Sequence, residues 1–280
     1  MVTHANPKRV WFDLNIGTDP SMALGLLFAC KHPEIEVVGI SVSGKNQEKR
    51  VEEAYKVLEY GNAPDVDVYY GEDITRETID AAQPTDTIVR GPLTNIAKLV
   101  LDEATLGRIH FVGGAFRTVY YRGMPITTEQ YANSDLGSTR IVLTQYEDIV
   151  ISSFEAASAL MVPQQVLNEL ARDHPFLKAR FAGFQEHLRE KHGEGFDYII
   201  AADVLAVCDV LEVPTITREV VEFKMQADGS FLSTTLLENN PEPIQENNTN
   251  PEKLPVPTIK HEVIRTVNAM RIIQELTKFV

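Results

Sequence analysis

Residues 9–42, RVWFDLNIGTDPSMALGLLFACKHPEIEVVGISV, carry one strand–helix–strand unit. Arg9-Val-Trp-Phe12 reads as a strand, and Ser21 to Cys30 as a buried helix. Ile35 to Val42 returns to strand. Asp19 as N-cap and Pro20 at the first helical position give the helix a standard start.

The same alternation continues outward. Gln47 to Tyr60 is an amphipathic helix, Val66 to Tyr70 and Thr87 to Arg90 are strands, and Asn95 to Leu101 begins another helix. Arg108 to Val112 and Asp148 to Ser152 add two more strands. Repeated strand–helix–strand units imply an α/β fold, a mostly parallel sheet with helices on both faces. The second half reads as richer in helix: Pro163 to Arg172, Phe176 to Lys191, Tyr198 to Leu211 and Val263 to Phe279. Val220 to Gln226 and Phe231 to Leu237 read as a hairpin around Asp228-Gly229. Glu238 to Pro257, rich in Asn, Pro and Glu, reads as a surface loop. No composition break or internal repeat divides the chain, so one domain is expected over residues 1–280.

Composition narrows the function. The 280 residues carry 26 Lys+Arg against 40 Asp+Glu, a formal charge of −14. That balance argues against nucleic acid, whose phosphates need clustered positive charge. No stretch approaches the roughly 20 apolar residues of a bilayer span. Met1 to Arg9 is polar and lacks a signal-peptide pattern. Cys30 and Cys208, the only cysteines, sit among apolar residues and suit a reducing compartment. The expected location is the cytoplasm, with no membrane partner.

In an open parallel sheet, ligands sit at the carboxyl ends of the strands. Four segments follow strands there: Asp13 to Asp19, Ser43 to Asn46, Arg90 to Asn95 and Gly113-Gly114. Asp13, Asn15 and Asp19 place three oxygen-bearing side chains around Gly17, suited to a hard cation or to sugar hydroxyls. Asp19 serves as a cap, as a ligand contact or as both. Asp13 is read as functional or as support for the loop. Asp203 lies in YIIAADVLAVC, residues 198–208, where nearly every neighbour is apolar. A carboxylate there needs a partner, because burying an unpaired charge is costly. It is therefore a site carboxylate, unless that helix face reaches solvent.

Together these segments resemble the inosine-uridine-preferring nucleoside hydrolase family. VWFDLNIGTDPSMAL, EIEVVGISVSGKNQEKRVEEAYKVLEYG, VYYGED, VRGPLTNIAKLV, IHFVGGAF and AADVLAVCDVLEV appear in that family's order, from residue 9 to about 215. GPLTNIA, residues 91–97, is the more specific element. The resemblance implies a single-domain nucleoside-hydrolase-like fold. It also implies N-ribohydrolase chemistry, in which water attacks the anomeric carbon of a ribonucleoside.

The family opens with DxDPGxDD, and here the motif reads Asp13-Leu-Asn15-Ile-Gly17-Thr-Asp19-Pro20. In the family, the second and fourth aspartates hold calcium, together with a backbone carbonyl and a late aspartate. The matching positions are Asn15, Pro20, Arg90 and Asp203. The second aspartate is also the usual base, and asparagine cannot take that proton. Proline supplies no side-chain ligand. The resemblance therefore implies a degenerate metal motif, and no metal or other cofactor is expected. Asp13 or Asp19 would have to replace the lost base.

The expected substrate contacts are Asn15, Asp19, Lys45, Asn46, Arg90, Glu129, Tyr131 and Asp203. Asp19, Glu129 and Asp203 match ribose-binding carboxylates. Lys45 or its neighbour Asn46 matches a loop asparagine, and Tyr131 falls two residues after Glu129, where the family has asparagine. The family's leaving-group histidine is Ala202 here. Lys45 and Arg90 bring new positive charge toward the calcium region: either one of them pairs with Asp13 or Asp203 in place of the ion, or Lys45 is a solvated loop residue and only the Arg90 backbone faces the site.

The expected partner is a nucleoside or ribose-like small molecule, and a homo-oligomer is expected. Two functional classes stay open: a hydrolase with altered activity, or a non-catalytic descendant that binds a ligand or partner. A phosphatase reading of Asp13 to Thr18 also exists, but GPLTNIA and the segment order count against it.

Overall fold

The computed structural model describes residues 6–17, 19–121, 124–126, 128–192, 198–227, 229–233 and 257–280. Its first strand, β1 (Lys8–Leu14), runs through the middle of the sheet. The next strands are β2 (Ile35–Val42), β3 (Val68–Tyr70), β4 (Asp86–Arg90) and β5 (Arg108–Val112). A small hairpin, β6 (Val119–Tyr121) and β7 (Met124–Ile126), precedes β8 (Ile149–Ser152). Then come β9 (Met161–Pro163), β10 (Tyr198–Ile200), β11 (Ile216–Met225), β12 (Phe231–Ser233) and β13 (Ile259–Val267). The main sheet has nine strands in the order β12-β11-β13-β8-β5-β4-β1-β2-β3. From β3 to β13 every pairing is parallel, and β11 runs antiparallel to both its neighbours.

Alternation along the strands builds a core on each face. Phe12, Leu14, Ile40, Ile88 and Val150 point to one side. They meet the helices α1 (Pro20–Lys31) and α10 (Ala202–Val210). Trp11, Val89, Ile109, Phe111 and Ile151 point to the other. There they meet α4 (Thr94–Leu101) and α6 (Leu136–Gln145). The remaining helices are α2 (Gln47–Tyr60), α3 (Arg76–Ala82), α5 (Gln130–Ser134), α7 (Phe154–Ala157), α8 (Gln164–Leu170), α9 (Pro175–His192) and α11 (Ala269–Phe279). The mostly parallel sheet with helices on both faces matches the sequence expectation.

Two sequence expectations are corrected. Tyr198 to Leu211 is not one helix: Tyr198–Ile200 pairs antiparallel with Met161–Pro163, and the helix begins at Ala202. Val263 to Phe279 also divides. Ile259–Val267 is a strand parallel to β8, and Asn268 then caps α11 by accepting from the Arg271 N–H. Buried Ile259, His261 and Val263 alternate with Lys260 and Glu262, a period of two that the apolar residues beyond Asn268 disguise as helical. The hairpin of β11 and β12 is present, while Asp228 of its turn lies outside the described residues. So do Thr18, Thr234 to Leu237 and all of the Glu238 to Pro257 loop except Pro257.

Helix α1 is buried from Pro20 to Ala29 because it lies between the sheet and α10. The two helices approach at Gly25, where a Cβ would stand 2.6 Å from the Asp203 Cβ and 2.9 Å from its carbonyl carbon. Gly25→Ala is expected to destabilise the protein by about 1–3 kcal/mol through overpacking. Better helix propensity offsets less than about 1 kcal/mol of that. Urea denaturation reads the difference, and an unchanged midpoint would show that the helices can separate freely.

Candidate active site

Strand order reverses direction at β1, which has β2 on one side and β4 on the other. That makes the carboxyl ends of β1 and β4 the topological switch point, where a crevice opens. The residues delivered there are Asp13 and Asn15 from β1 and the loop after it, and Arg90 from the end of β4. The Asn15 N–H donates to the Arg90 carbonyl at 2.8 Å, joining the two loops.

Asp13 is fully buried. Its Oδ1 accepts from the Ser41 hydroxyl at 2.7 Å and the Asn95 amide at 2.8 Å. Its Oδ2 is buried without a hydrogen-bond partner. Burial pushes the carboxyl up to about 6, with the Asn95 and Ser41 bonds opposing that rise. Asp13 is thus both a brace for the loop and a carboxyl poised near neutral pH.

Asp203 enters from the first turn of α10, so the expectation of burial beside a partner is met. Its Oδ2 accepts from the Ser21 hydroxyl at 2.6 Å, and its own N–H donates to the Ser21 Oγ at 3.2 Å. Oδ1 has no hydrogen-bond partner. Burial raises this carboxyl to about 6 as well, against the nearby Arg90 charge and the Ser21 bond.

Glu129 caps α5. Its Oε2 accepts from the N–H groups of Tyr131 at 2.8 Å, Ala132 at 3.1 Å and Gly114 at 3.4 Å. That leaves Oε1 facing Arg90 at 3.7 Å. The Arg90 side chain stands between the two acids, with Nε 3.9 Å from Asp203 Oδ2. One of its terminal nitrogens donates to the Val112 carbonyl at 3.1 Å. The guanidinium lies 4.9 Å from the centre of the Tyr131 ring, within cation–π range. Burial works against its charge, but Asp203 and Glu129 outweigh burial and hold its pKa above the usual arginine value.

The sequence-predicted contacts therefore separate. Asn15, Asp19, Arg90, Glu129, Tyr131 and Asp203 come together. Lys45 and Asn46 are exposed in the loop before α2, where Asn46 opens the helix in a left-handed conformation with φ 58°. Among the described residues the Lys45 side chain makes no ion pair, so the new positive charge beside Asp203 is Arg90.

Asp19 accepts from the Ser21 N–H at 2.9 Å as the N-cap of α1. It also lines two cavities. A crevice of about 120 Å³ is bounded by Asp19, Arg90, Ser152, Phe154, Phe184 and Ala202, among others. A wider cavity of about 460 Å³ joins Asp19 and Pro20 to Glu53, Arg180, Phe184 and His187. Glu53 and Arg180 form an ion pair across that cavity. Cap and cavity wall are compatible roles for one carboxylate.

Three supporting residues escaped the sequence reading. Ser21 looks like a bland helix residue until α10 packs against it. Ser41 sits inside an apolar strand, yet it braces Asp13. Arg50, in a charged helix, donates to the Asn15 carbonyl at 2.8 Å and the Ile16 carbonyl at 2.5 Å, fixing the loop after β1. Asn95 had a signal, since it belongs to GPLTNIA.

The residues do not fit the calcium ion that the resemblance implies. Position 15 offers a neutral amide and position 20 a proline inside the first turn of α1. Among the described residues no group of three His, Cys, Asp or Glu side chains is arranged to hold a metal ion. A fixed guanidinium beside Asp203 and Glu129 opposes a second cation.

No family model matches the chain, and no curated protein matches it in sequence. Solved structures do match. A plant nucleoside hydrolase is 19% identical, with a TM-score of 0.73 over 97% of this chain and 98% of its own. An inosine-uridine-preferring nucleoside hydrolase from Bacillus anthracis is 15% identical, with a TM-score of 0.67 over 97% and 98%. A purine-preferring ribonucleoside hydrolase from Gardnerella vaginalis is 16% identical, with a TM-score of 0.73 over 96% of each chain. The chain has the nucleoside hydrolase fold. Among the described residues no helix is long and apolar enough to cross a membrane.

Proposed function

We propose that this protein is a divergent member of the nucleoside hydrolase family that binds a ribonucleoside or ribose-like small molecule without calcium. The observation that carries this reading is the convergence of Glu129 and Asp203, two buried carboxylates from different elements, on Arg90, which walls a crevice together with Asp19. Carboxylates fixed by backbone N–H groups and Ser21 are pre-oriented acceptors for sugar hydroxyls. The apolar walls at Phe154, Phe184 and Ala202 suit the less polar parts of such a ligand.

Hydrolysis is the weaker part of the chemistry. Asn15 cannot act as a base, and Asp13 and Asp19 are the carboxylates left for that role. Asp13 lies near the useful pKa range, but Ser41 and Asn95 occupy one of its oxygens. These losses favour a second reading, a non-catalytic ligand-binding protein on the same fold. We also take the protein to act in the cytoplasm as a homo-oligomer, without nucleic acid.

Calorimetric titration with inosine, uridine, adenosine and ribose tests the binding. Saturable heat from at least one of them is expected, and none from any would overturn the reading. Asp203→Asn should weaken that binding about tenfold or more, since hydrogen bonds to charged groups contribute about 1.5–3 kcal/mol. The variant's circular dichroism should match wild type. Equal affinity in the two proteins would remove Asp203 from the contact surface.

A further inference from the structure

We infer that the Arg90 guanidinium is the site's built-in cation: it neutralises Glu129 and Asp203 together, and it keeps a divalent ion away from Asp203. This goes beyond the ligand reading and holds whatever the crevice binds.

Three observations meet at this side chain. Glu129 and Asp203 are both buried, they come from α5 and α10, and Arg90 lies within 4 Å of each, at 3.7 and 3.9 Å. Two buried carboxylates stay ionised out of water only with a positive partner. Among the described residues Arg90 is the cation paired with both.

The guanidinium is also held in place. It donates to the Val112 carbonyl from behind and rests on the Tyr131 ring, so it is not a surface arginine that has swung inward. Its side chain is 13% exposed. Finally, the ion pairs are longer than direct hydrogen bonds, and Arg90 Nε and Asp203 Oδ1 both lack hydrogen-bond partners. The charges neutralise one another without closing into direct hydrogen bonds. A metal entering there would meet a fixed like charge and would have to displace it. Lys45, exposed in the loop before α2, has no such role.

Calcium titration of the full-length protein separates this proposal from the ligand reading, because no nucleoside is involved. Wild type and Arg90→Lys should show no saturable calcium binding into the millimolar range. Arg90→Met, of similar length but neutral, should gain calcium affinity by about tenfold or more, worth about 1.4 kcal/mol. If Arg90→Met is unfolded without metal, millimolar calcium should restore its circular dichroism and melting transition. Micromolar calcium binding by wild type, or a calcium-dependent rise in its melting temperature, would overturn the proposal. So would equal calcium affinity in Arg90→Met and wild type, equal gain in Arg90→Lys, or failure of calcium to refold an unfolded Arg90→Met.

Discussion

Wild-type protein is expected to release reducing sugar from inosine, uridine and adenosine far more slowly than about 1 s⁻¹, the lower end of ordinary turnover. Removing a general base typically costs about 10²–10⁴-fold. Asn15 imposes that loss at the position where the related motif carries an aspartate. A metal-bound water has a lowered pKa, and the residues here do not fit the metal that would supply it. The two losses act on one proton and need not add.

Restoring two carboxylates, Asn15→Asp and Pro20→Asp, leaves the Arg90 guanidinium beside Asp203. The double variant should therefore stay slow and calcium-poor, and adding Arg90→Met should raise calcium binding. Pro20 opens α1, so the melting transition must be followed in each variant. Turnover near 1 s⁻¹ or above in wild type would return Asp13 or Asp19 to the role of base.

The reach of the sequence varied with the range of the interaction concerned. Ile35–Val42, Gln47–Tyr60 and Arg108–Val112 have the bounds that their residue pattern sets, because that signal is local. β13 was missed because its alternation runs directly into a capped amphipathic helix. Asp203 stood out as an acid in an apolar run, and its burial follows from that. Its partners did not stand out. Ser21 lies 182 residues away along the chain, and only the packing of α1 on α10 brings it there. The choice between Lys45 and Arg90 was likewise invisible. Each follows a strand and each is positive, but β4 is interior to the sheet, whereas Lys45 lies on the exposed loop that opens α2.

The largest stability effect should lie at a second buried charge cluster, away from the crevice. His110 lies mid-strand in β5 with Nδ1 2.8 Å from Asp209 Oδ2 and Nε2 2.9 Å from Asp86 Oδ1. Both ring nitrogens face carboxylate oxygens, so both are donors and the ring is an imidazolium. Arg218 donates to Asp209 Oδ1 at 2.7 Å and to its carbonyl at 2.9 Å. Burial works against the charge on His110, but its bonds to Asp209 and Asp86 outweigh burial and raise its pKa above 6.5. Asp86 is lowered because the His110 bond and charge outweigh its own burial.

Asp209→Ala leaves His110 and Arg218 without their shared anion and should cost about 3–5 kcal/mol, the range for breaking a buried ion pair from one side. The pH dependence follows from the same shifts. The His110 contribution is complete below the unfolded value near 6.5 and is lost as pH rises through the higher folded value. The Asp86 contribution has the opposite sense and is lost as pH falls through its lowered value. Asp13 and Asp203, raised to about 6, reduce stability as pH rises from their unfolded values near 3.8 to that point, and their effect is constant above it. Wild type should therefore lose stability relative to His110→Gln as pH climbs above about 6.5. Urea denaturation at pH 6 and pH 9 measures both effects. Parallel pH curves for wild type and His110→Gln would show that the ring is neutral. A loss below about 1 kcal/mol for Asp209→Ala, an ordinary surface-like cost, would show that water or a rearranged Arg218 replaces the missing carboxylate.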